Sequence, residues 1–293
     1  MMKQFSLLFL MFFGLSACCN SKSIAQNFTE TSHSIENQKN IVKDEISIVK
    51  LKRTQPDNLP ISNKGIEEIQ SIKQIVTKKF YPNHELWESL LQKYVTENGK
   101  VNYNGLKKDY GALSAYISLL SELLPNETHS KEYKLAYWIN AYNALTVDLI
   151  VRNYPVKSIK EINKPWDQRL WKLGDKWYNL DEIEHQIIRK MGEPRIHFAL
   201  VCAAVSCPKL YNKAFTETNL EDVLSRLTKE FLNDPTKNNL SQNELKLSKI
   251  FSWFAKDFKQ EGTIIDFLNQ YSEITISSNA KKRFNDYNWE LNE

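Results

Sequence analysis

The stretch from Glu132 to Asn153, EYKLAYWINAYNALTVDLIVRN, decides the architecture. Wound at about 3.6 residues per turn, it is apolar on nearly every side, and a helix of that kind is buried among other elements rather than laid on a surface. Tyr154-Pro155 ends it, because proline cannot continue a helix and restricts the residue before it. Asn140 and Asn143 sit three residues apart on this helix and share a face with Ala136, Tyr137 and Ala144, where small residues permit close approach by another backbone. Buried amides must find hydrogen-bond partners. The pair either holds a neighbouring loop or supplies one member of a Cys-His-Asn set, orienting an imidazole or donating to an oxyanion.

Before this helix, HELWESLLQKY at His84–Tyr94 has apolar residues at helical spacing, and Tyr110–Leu124 forms a second amphipathic helix stopped by Pro125. The intervening ENGKVNYNGLKKD has the composition of a surface loop. After the central helix, PWDQRLWKLGDKWYNL places aromatics around Gly174-Asp175, a hairpin pattern, and Trp166, Trp171 and Trp177 either roof a cleft or pack in the core. Asn179 followed by Glu182 is a variant capping box that starts a helix over Leu180–Met191, terminated by Gly192 and Pro194. A buried strand is expected at Ile196–Cys202, further helices at Leu220–Leu232 and Ile250–Phe258, and a short strand at Glu244–Ser248. Segregated helices with few strands specify an α+β, mainly helical single domain with a small sheet.

The chain opens with MMKQFSLLFLMFFGLSACC: one positive charge at Lys3, an apolar run from Phe5 to Leu15, then small residues. The run is too short to span a membrane, which takes about 20 apolar residues, and it has the plan of an export signal. Leu15-Ser16-Ala17-Cys18 resembles the bacterial lipobox, in which cleavage precedes a cysteine that carries diacylglycerol. We therefore expect a signal peptide at 1–17, lipid on Cys18, a flexible polar tether over 18–75 and a globular domain over 76–293, placing the protein in the bacterial cell envelope, facing the periplasm. Helical spacing at Ile66–Val76 lies where tether meets domain. The 39 basic and 35 acidic residues nearly balance, which gives no electrostatic case for nucleic acid. No phosphate loop, dinucleotide fingerprint or paired metal motif is present, so no cofactor is expected.

WINAYNALTVDLI at Trp138–Ile150, YPVKSI at Tyr154–Ile159, LDEIEHQIIR at Leu180–Arg189 and RIHFALVCAAVSCPKL at Arg195–Leu210 resemble the domain of unknown function 547 family, over residues 85 to 235 or so. That resemblance implies little about activity. A looser, fold-level analogy links such domains to papain-like thiol hydrolases.

With Cys18 used by lipid and Cys19 beside it, Cys202 and Cys207 are the cysteines of the folded region, and in an oxidising compartment they can pair. Ser206-Cys207-Pro208 puts a thiol where Pro208 suits the first turn of a helix, and a helix N-terminus favours thiolate, so Cys207 is the candidate nucleophile. Its other reading is a small buried hydrophobe or half of a disulfide. For a base, a strand over Ile196–Cys202 would carry His197 away from Cys207, whereas an antiparallel preceding helix would bring His185 toward both cysteines. His185 is the preferred base, and His197 is of second rank, as is Cys202. Glu184 points about 100° away from its neighbour His185 on a helix, so it pairs elsewhere, with Arg189 or Arg195, or bonds another site residue. Zinc held by His185, Cys202, Cys207 and His197 would need all four to converge, which the strand disfavours. The resulting expectation is thiol-dependent hydrolysis or acyl transfer on an amide, peptide, cell-wall or small-molecule substrate. The alternative is a non-catalytic binding module with structural cysteines.

Overall fold

Residues 84–293 are described by the computed structural model; the expected signal peptide, Cys18, the tether and the helical spacing at Ile66–Val76 lie outside the described residues. The helix read as central is α4, which we number after α1 (Glu85–Tyr94), α2 (Tyr103–Lys108) and α3 (Tyr110–Glu122). α4 spans Lys131–Asn153, starts at Ser130, whose side chain accepts from the Tyr133 amide, and buries every residue from Leu135 to Val151. α2 and α3 pack against it, and α1 packs against α2 and α3. Tyr154 ends α4 in extended conformation, and the Tyr154-Pro155 peptide is cis.

β1 (Trp171–Leu173) and β2 (Lys176–Tyr178) form the expected hairpin, with Gly174 at positive φ in its turn. A separate sheet of order β3-β4-β5 joins Asn239–Leu240, Glu244–Leu247 and Lys281–Phe284, antiparallel at its first pairing and parallel at its second. With α5 (Leu180–Glu182), α6 (Leu220–Asn233), α7 (Ile250–Trp253) and α8 (Ile264–Tyr271), the fold is α+β.

Several expectations are corrected. The loop expected after α1 contains α2, because Asn102 accepts from the Gly105 amide at 2.8 Å as a cap while Tyr103 and Leu106 turn inward. The single helix expected over Leu180–Met191 is one α turn followed by a π segment at Ile183–Ile188 and a 3-10 turn at Arg189–Met191. Ile183 and Ile188 both face the core, and residues five apart share a face only on this wider winding. The helix expected over Ile250–Phe258 stops at Trp253 and resumes as a short 3-10 turn at Asp257–Lys259.

The strand expected at Ile196–Cys202 is absent. Pro194–Phe198 is a 3-10 helix with proline in its first turn, capped by the Glu193 side chain. The backbone that follows is paired by a side chain instead of a strand: Asn143 Nδ2 donates to the Ala199 carbonyl at 2.9 Å, and the Val201 amide donates to Asn143 Oδ1 at 3.1 Å. One amide thus satisfies both backbone groups that a neighbouring strand would have taken. Asn140 does the same for one residue, its Nδ2 donating to the Phe215 carbonyl at 2.7 Å and its Oδ1 accepting from the Phe215 amide at 3.0 Å. No helix starts at Pro208 either; the segment runs irregularly to α6 and lies so close to the turn at Gly99 that a Cβ there would come within 2.5 Å of Lys209 Cβ.

Candidate functional site

Cys202 and Cys207 bracket a loop whose second residue, Ala203, adopts φ 58°. That left-handed conformation is strained for alanine and reverses the chain. The Cys207 amide then donates to the Ala204 carbonyl at 3.0 Å, closing a turn. As a result the two free thiols face each other with their sulfurs 2.9 Å apart, and the Cys202 amide also donates to Cys207 Sγ at 2.9 Å. The C-terminal segment walls the loop: the amides of Val205 and Ser206 donate to the carbonyls of Glu290 and Asn288, and Ala204 bridges to Leu291. This segment sets the Tyr287 hydroxyl 3.1 Å from Cys202 Sγ.

The two sulfurs are not equivalent. Cys207 is buried at 6% exposure, and Cys202 is half-buried. Burial pushes the Cys207 thiol up, but hydrogen bonds from the Cys202 thiol, the Cys202 amide and Tyr287 outweigh it and leave the thiol below its ordinary value. Cys202 moves well up, because its own proton is engaged by Cys207 and burial disfavours its anion. Tyr287 is likewise pushed up, by burial and by the two sulfurs, so its phenol stays a proton donor. The donors thus converge on Cys207 rather than on Cys202, and they are an amide, a thiol and a phenol rather than the N-terminus of a helix.

Among the described residues, no histidine is bonded to either sulfur. With the strand gone, the expected placement of His185 loses its basis: its Nδ1 lies 3.0 Å from Arg189 Nη1 and its Nε2 3.5 Å from Asp181. His197 is buried, stacks on Phe254 with ring centroids 3.9 Å apart and holds Asp257 through Nε2 at 2.8 Å. Arg189 clamps the same carboxylate at 2.6 and 2.7 Å. Burial pushes Asp257 up, yet His197 and Arg189 together hold it well below the usual carboxylate range. Desolvation depresses His197, with the bond to Asp257 opposing it. Glu184 is buried and accepts from Tyr142 at 2.8 Å, and Arg195 is occupied by Glu193 and Glu221. Asn140 and Asn143 spend their amides on backbone, as described above. Among the described residues, no group of three or more His, Cys, Asp or Glu is placed to hold a metal, and no helix is long and apolar enough to cross a membrane.

Tyr287 also belongs to an aromatic cluster at the surface beside Cys202. Its ring lies 4.8 Å from Trp253 and 4.6 Å from Trp289, and Lys160 Nζ stands 4.3 Å over Trp289. Trp166 joins edge-on to Trp289, whereas Trp171 is buried with its Nε1 donating to Asp148, and Trp177 is exposed elsewhere on the hairpin. Sequence reading missed Tyr287, Trp253 and Trp289. Nothing local marks them, since each lies 46 or more positions away from the cysteines in the chain.

These features define an α+β domain that pins irregular loops on two asparagines of a buried, mainly apolar helix and presents a paired-thiol site on one of them. Residues 126–232 match the sequence profile of the family described as Protein of unknown function, DUF547, and that stretch is similar to the family's domain. The matched stretch contains α4, both asparagines, Glu184, both histidines and both cysteines, and stops short of Tyr287. No curated protein and no solved structure matches the chain.

Proposed function

We propose that the chain is a lipid-anchored, periplasm-facing protein of the bacterial cell envelope whose domain is a thiol-dependent enzyme, transferring or hydrolysing an acyl group of an amide, peptide or cell-wall substrate through Cys207. The observation that carries this reading is the convergence of donors on Cys207 Sγ, which favours a thiolate without a histidine partner. Lipid anchoring rests on Leu15–Cys18 and the apolar run before it.

In this reaction the Cys207 thiolate attacks the carbonyl carbon and forms a C–S bond. The C–N bond breaks as the leaving nitrogen takes a proton from the Cys202 thiol or the Tyr287 phenol, the two groups held protonated beside it. Water then adds to the thioester, the C–S bond breaks, and a proton returns to the donor. Amide and water thus become acid and amine.

Titrating the thiolate ultraviolet absorbance of the full chain under reductant, and subtracting the Cys207→Ala titration, isolates Cys207. A midpoint below the free-cysteine value of about 8.5, moved upward in Tyr287→Phe, is expected. A midpoint at or above that value in the native protein overturns the reading. The other candidate, a binding module with structural cysteines, draws on the exposed aromatic cluster beside the pair and predicts no titrating thiol until the protein is reduced and unfolded.

A further inference from the structure

We propose that Cys202 and Cys207 form a reversible disulfide that exchanges with thiol-bearing peptides, with Cys202 as the sulfur that partners attack and Cys207 as the sulfur that leaves and later resolves. This rests on the same thiol site but on a different observation, the asymmetric pairing of two sulfurs. Two free thiols 2.9 Å apart need a displacement of only about 1 Å to reach a bonded length of about 2.05 Å. The strained turn at Ala203 and the C-terminal segment hold the loop in that folded-back form.

Direction follows from exposure and from the donors. An incoming thiolate reaches half-buried Cys202, whereas Cys207 is buried at 6% exposure. The sulfur that leaves is the one whose anion receives the Cys202 amide, and a stabilised thiolate is the faster leaving group. The occupant is a peptide segment carrying two cysteines flanked by apolar or aromatic residues, because the surface beside Cys202 is Tyr287, Trp253 and Trp289, with Trp253 48% exposed, and Val205 is 42% exposed on the loop itself.

The electron count closes. A first peptide thiolate attacks Cys202 Sγ; the peptide–Cys202 S–S bond forms, the Cys202–Cys207 bond breaks, and Cys207 departs as thiolate. The second peptide thiolate attacks the peptide sulfur of the mixed disulfide, forming the peptide disulfide and releasing Cys202, which takes up a proton. The peptide dithiol is oxidised and the protein pair reduced. A low-molecular-weight disulfide restores the pair: Cys202 passes its proton to the neighbouring Cys207 thiolate and attacks, giving a mixed disulfide and one small thiolate, which takes that proton from Cys207; the Cys207 thiolate then displaces the second small thiolate.

The test uses the full chain and glutathione disulfide, with adducts located by mass spectrometry. Wild type is expected to lose the two hydrogens of an internal disulfide. Cys207→Ser should accumulate one glutathione on Cys202, at least about tenfold faster than Cys202→Ser acquires one on Cys207. Trp253→Ala should slow oxidation of a tryptophan-flanked dithiol peptide about fivefold, with unchanged reaction toward glutathione disulfide. No Cys202–Cys207 disulfide in wild type, or equal modification of the two single-cysteine variants, overturns the proposal, and the wild-type result stands even if a variant fails to fold. A lowered Cys207 midpoint with no internal disulfide would sink exchange and leave the acyl-transfer reading. An exchanging disulfide with a Cys207 midpoint above that of free cysteine would sink acyl transfer and leave exchange directed by the exposure of Cys202 alone.

Discussion

The asparagine pair of α4 and the cysteine pair of the Ala203 loop are both sets of polar side chains set into an apolar interior, and they are used in opposite ways. Asn140 and Asn143 each meet a backbone N–H and a backbone C=O, so each amide is matched on both sides and buried to at most 1% exposure. The two sulfurs meet mainly each other, one donor amide and a tyrosine at the edge of a surface cluster. A saturated, dry amide stabilises loops and has nothing left with which to do chemistry. A pair of thiols that shares protons and touches the surface keeps its reactivity.

The sharpest way to break this contrast is Asn143→Leu. It leaves the Ala199 carbonyl and the Val201 amide without their partner, and at about 1–3 kcal/mol for each orphaned group a loss of about 4 kcal/mol is expected. A thermal melt followed by circular dichroism should fall by about 12 °C. If it moves only a degree or two, the asparagine is not the structural pin described here.

A second test takes another buried polar group of the dry side, His84, whose Nδ1 meets the Tyr116 hydroxyl at 2.6 Å and which burial depresses to about 4. A histidine held neutral when folded titrates near 6.5 when unfolded, so the unfolded chain binds more protons between those values. Stability is full above pH 6.5 and lost as pH falls toward 4, by up to about 3 kcal/mol. His197, also depressed by burial, adds a loss of the same sign. Urea unfolding at pH 7 and pH 4.5 should show the fall, reduced but not abolished in His84→Gln. An unchanged slope in that variant would reassign the pH dependence to His197 and the carboxylates.

The smallest effect on stability is expected where function is placed. Cys207→Ala removes one sulfur and with it the acceptor of a single backbone amide, that of Cys202, at the half-buried edge of the loop where water can replace it, so a cost of about 1 kcal/mol is expected, with the fold retained. Measured beside Asn143→Leu, the two values should differ severalfold. A Cys207→Ala loss as large as the asparagine's would make the sulfur a structural element and collapse the distinction.

The identity of α4 was legible because burial on all sides leaves a continuous apolar signature, and the hairpin, α6 and the Asn179 cap were legible because each rests on contacts within a few residues. The readings that failed share one cause. Ile196–Cys202 has the composition of a buried strand, and buried it is, but composition does not say whether the backbone's partners come from a strand or from an asparagine 58 positions earlier. Likewise Ser206-Cys207-Pro208 matches the start of a helix, yet close packing against the Gly99 turn and pairing with the C-terminal segment hold it irregular. The surroundings of the Cys207 thiol were likewise beyond the reach of sequence reading. Its donors are an amide and a thiol set five residues back by a left-handed alanine, and a tyrosine 80 residues on.

By itself, then, the order of residues determined which helix is central, that its asparagines must find partners, and that two cysteines stand five residues apart in the chain, because periodicity, burial cost and short spacing are local properties. Only the tertiary structure decided that the asparagines close on backbone, that the histidines turn to Asp181, Arg189 and Asp257, and that the two sulfurs meet under Tyr287. Those outcomes depend on which distant segments compete for the same buried donors and acceptors, and that competition is resolved only when the chain is packed.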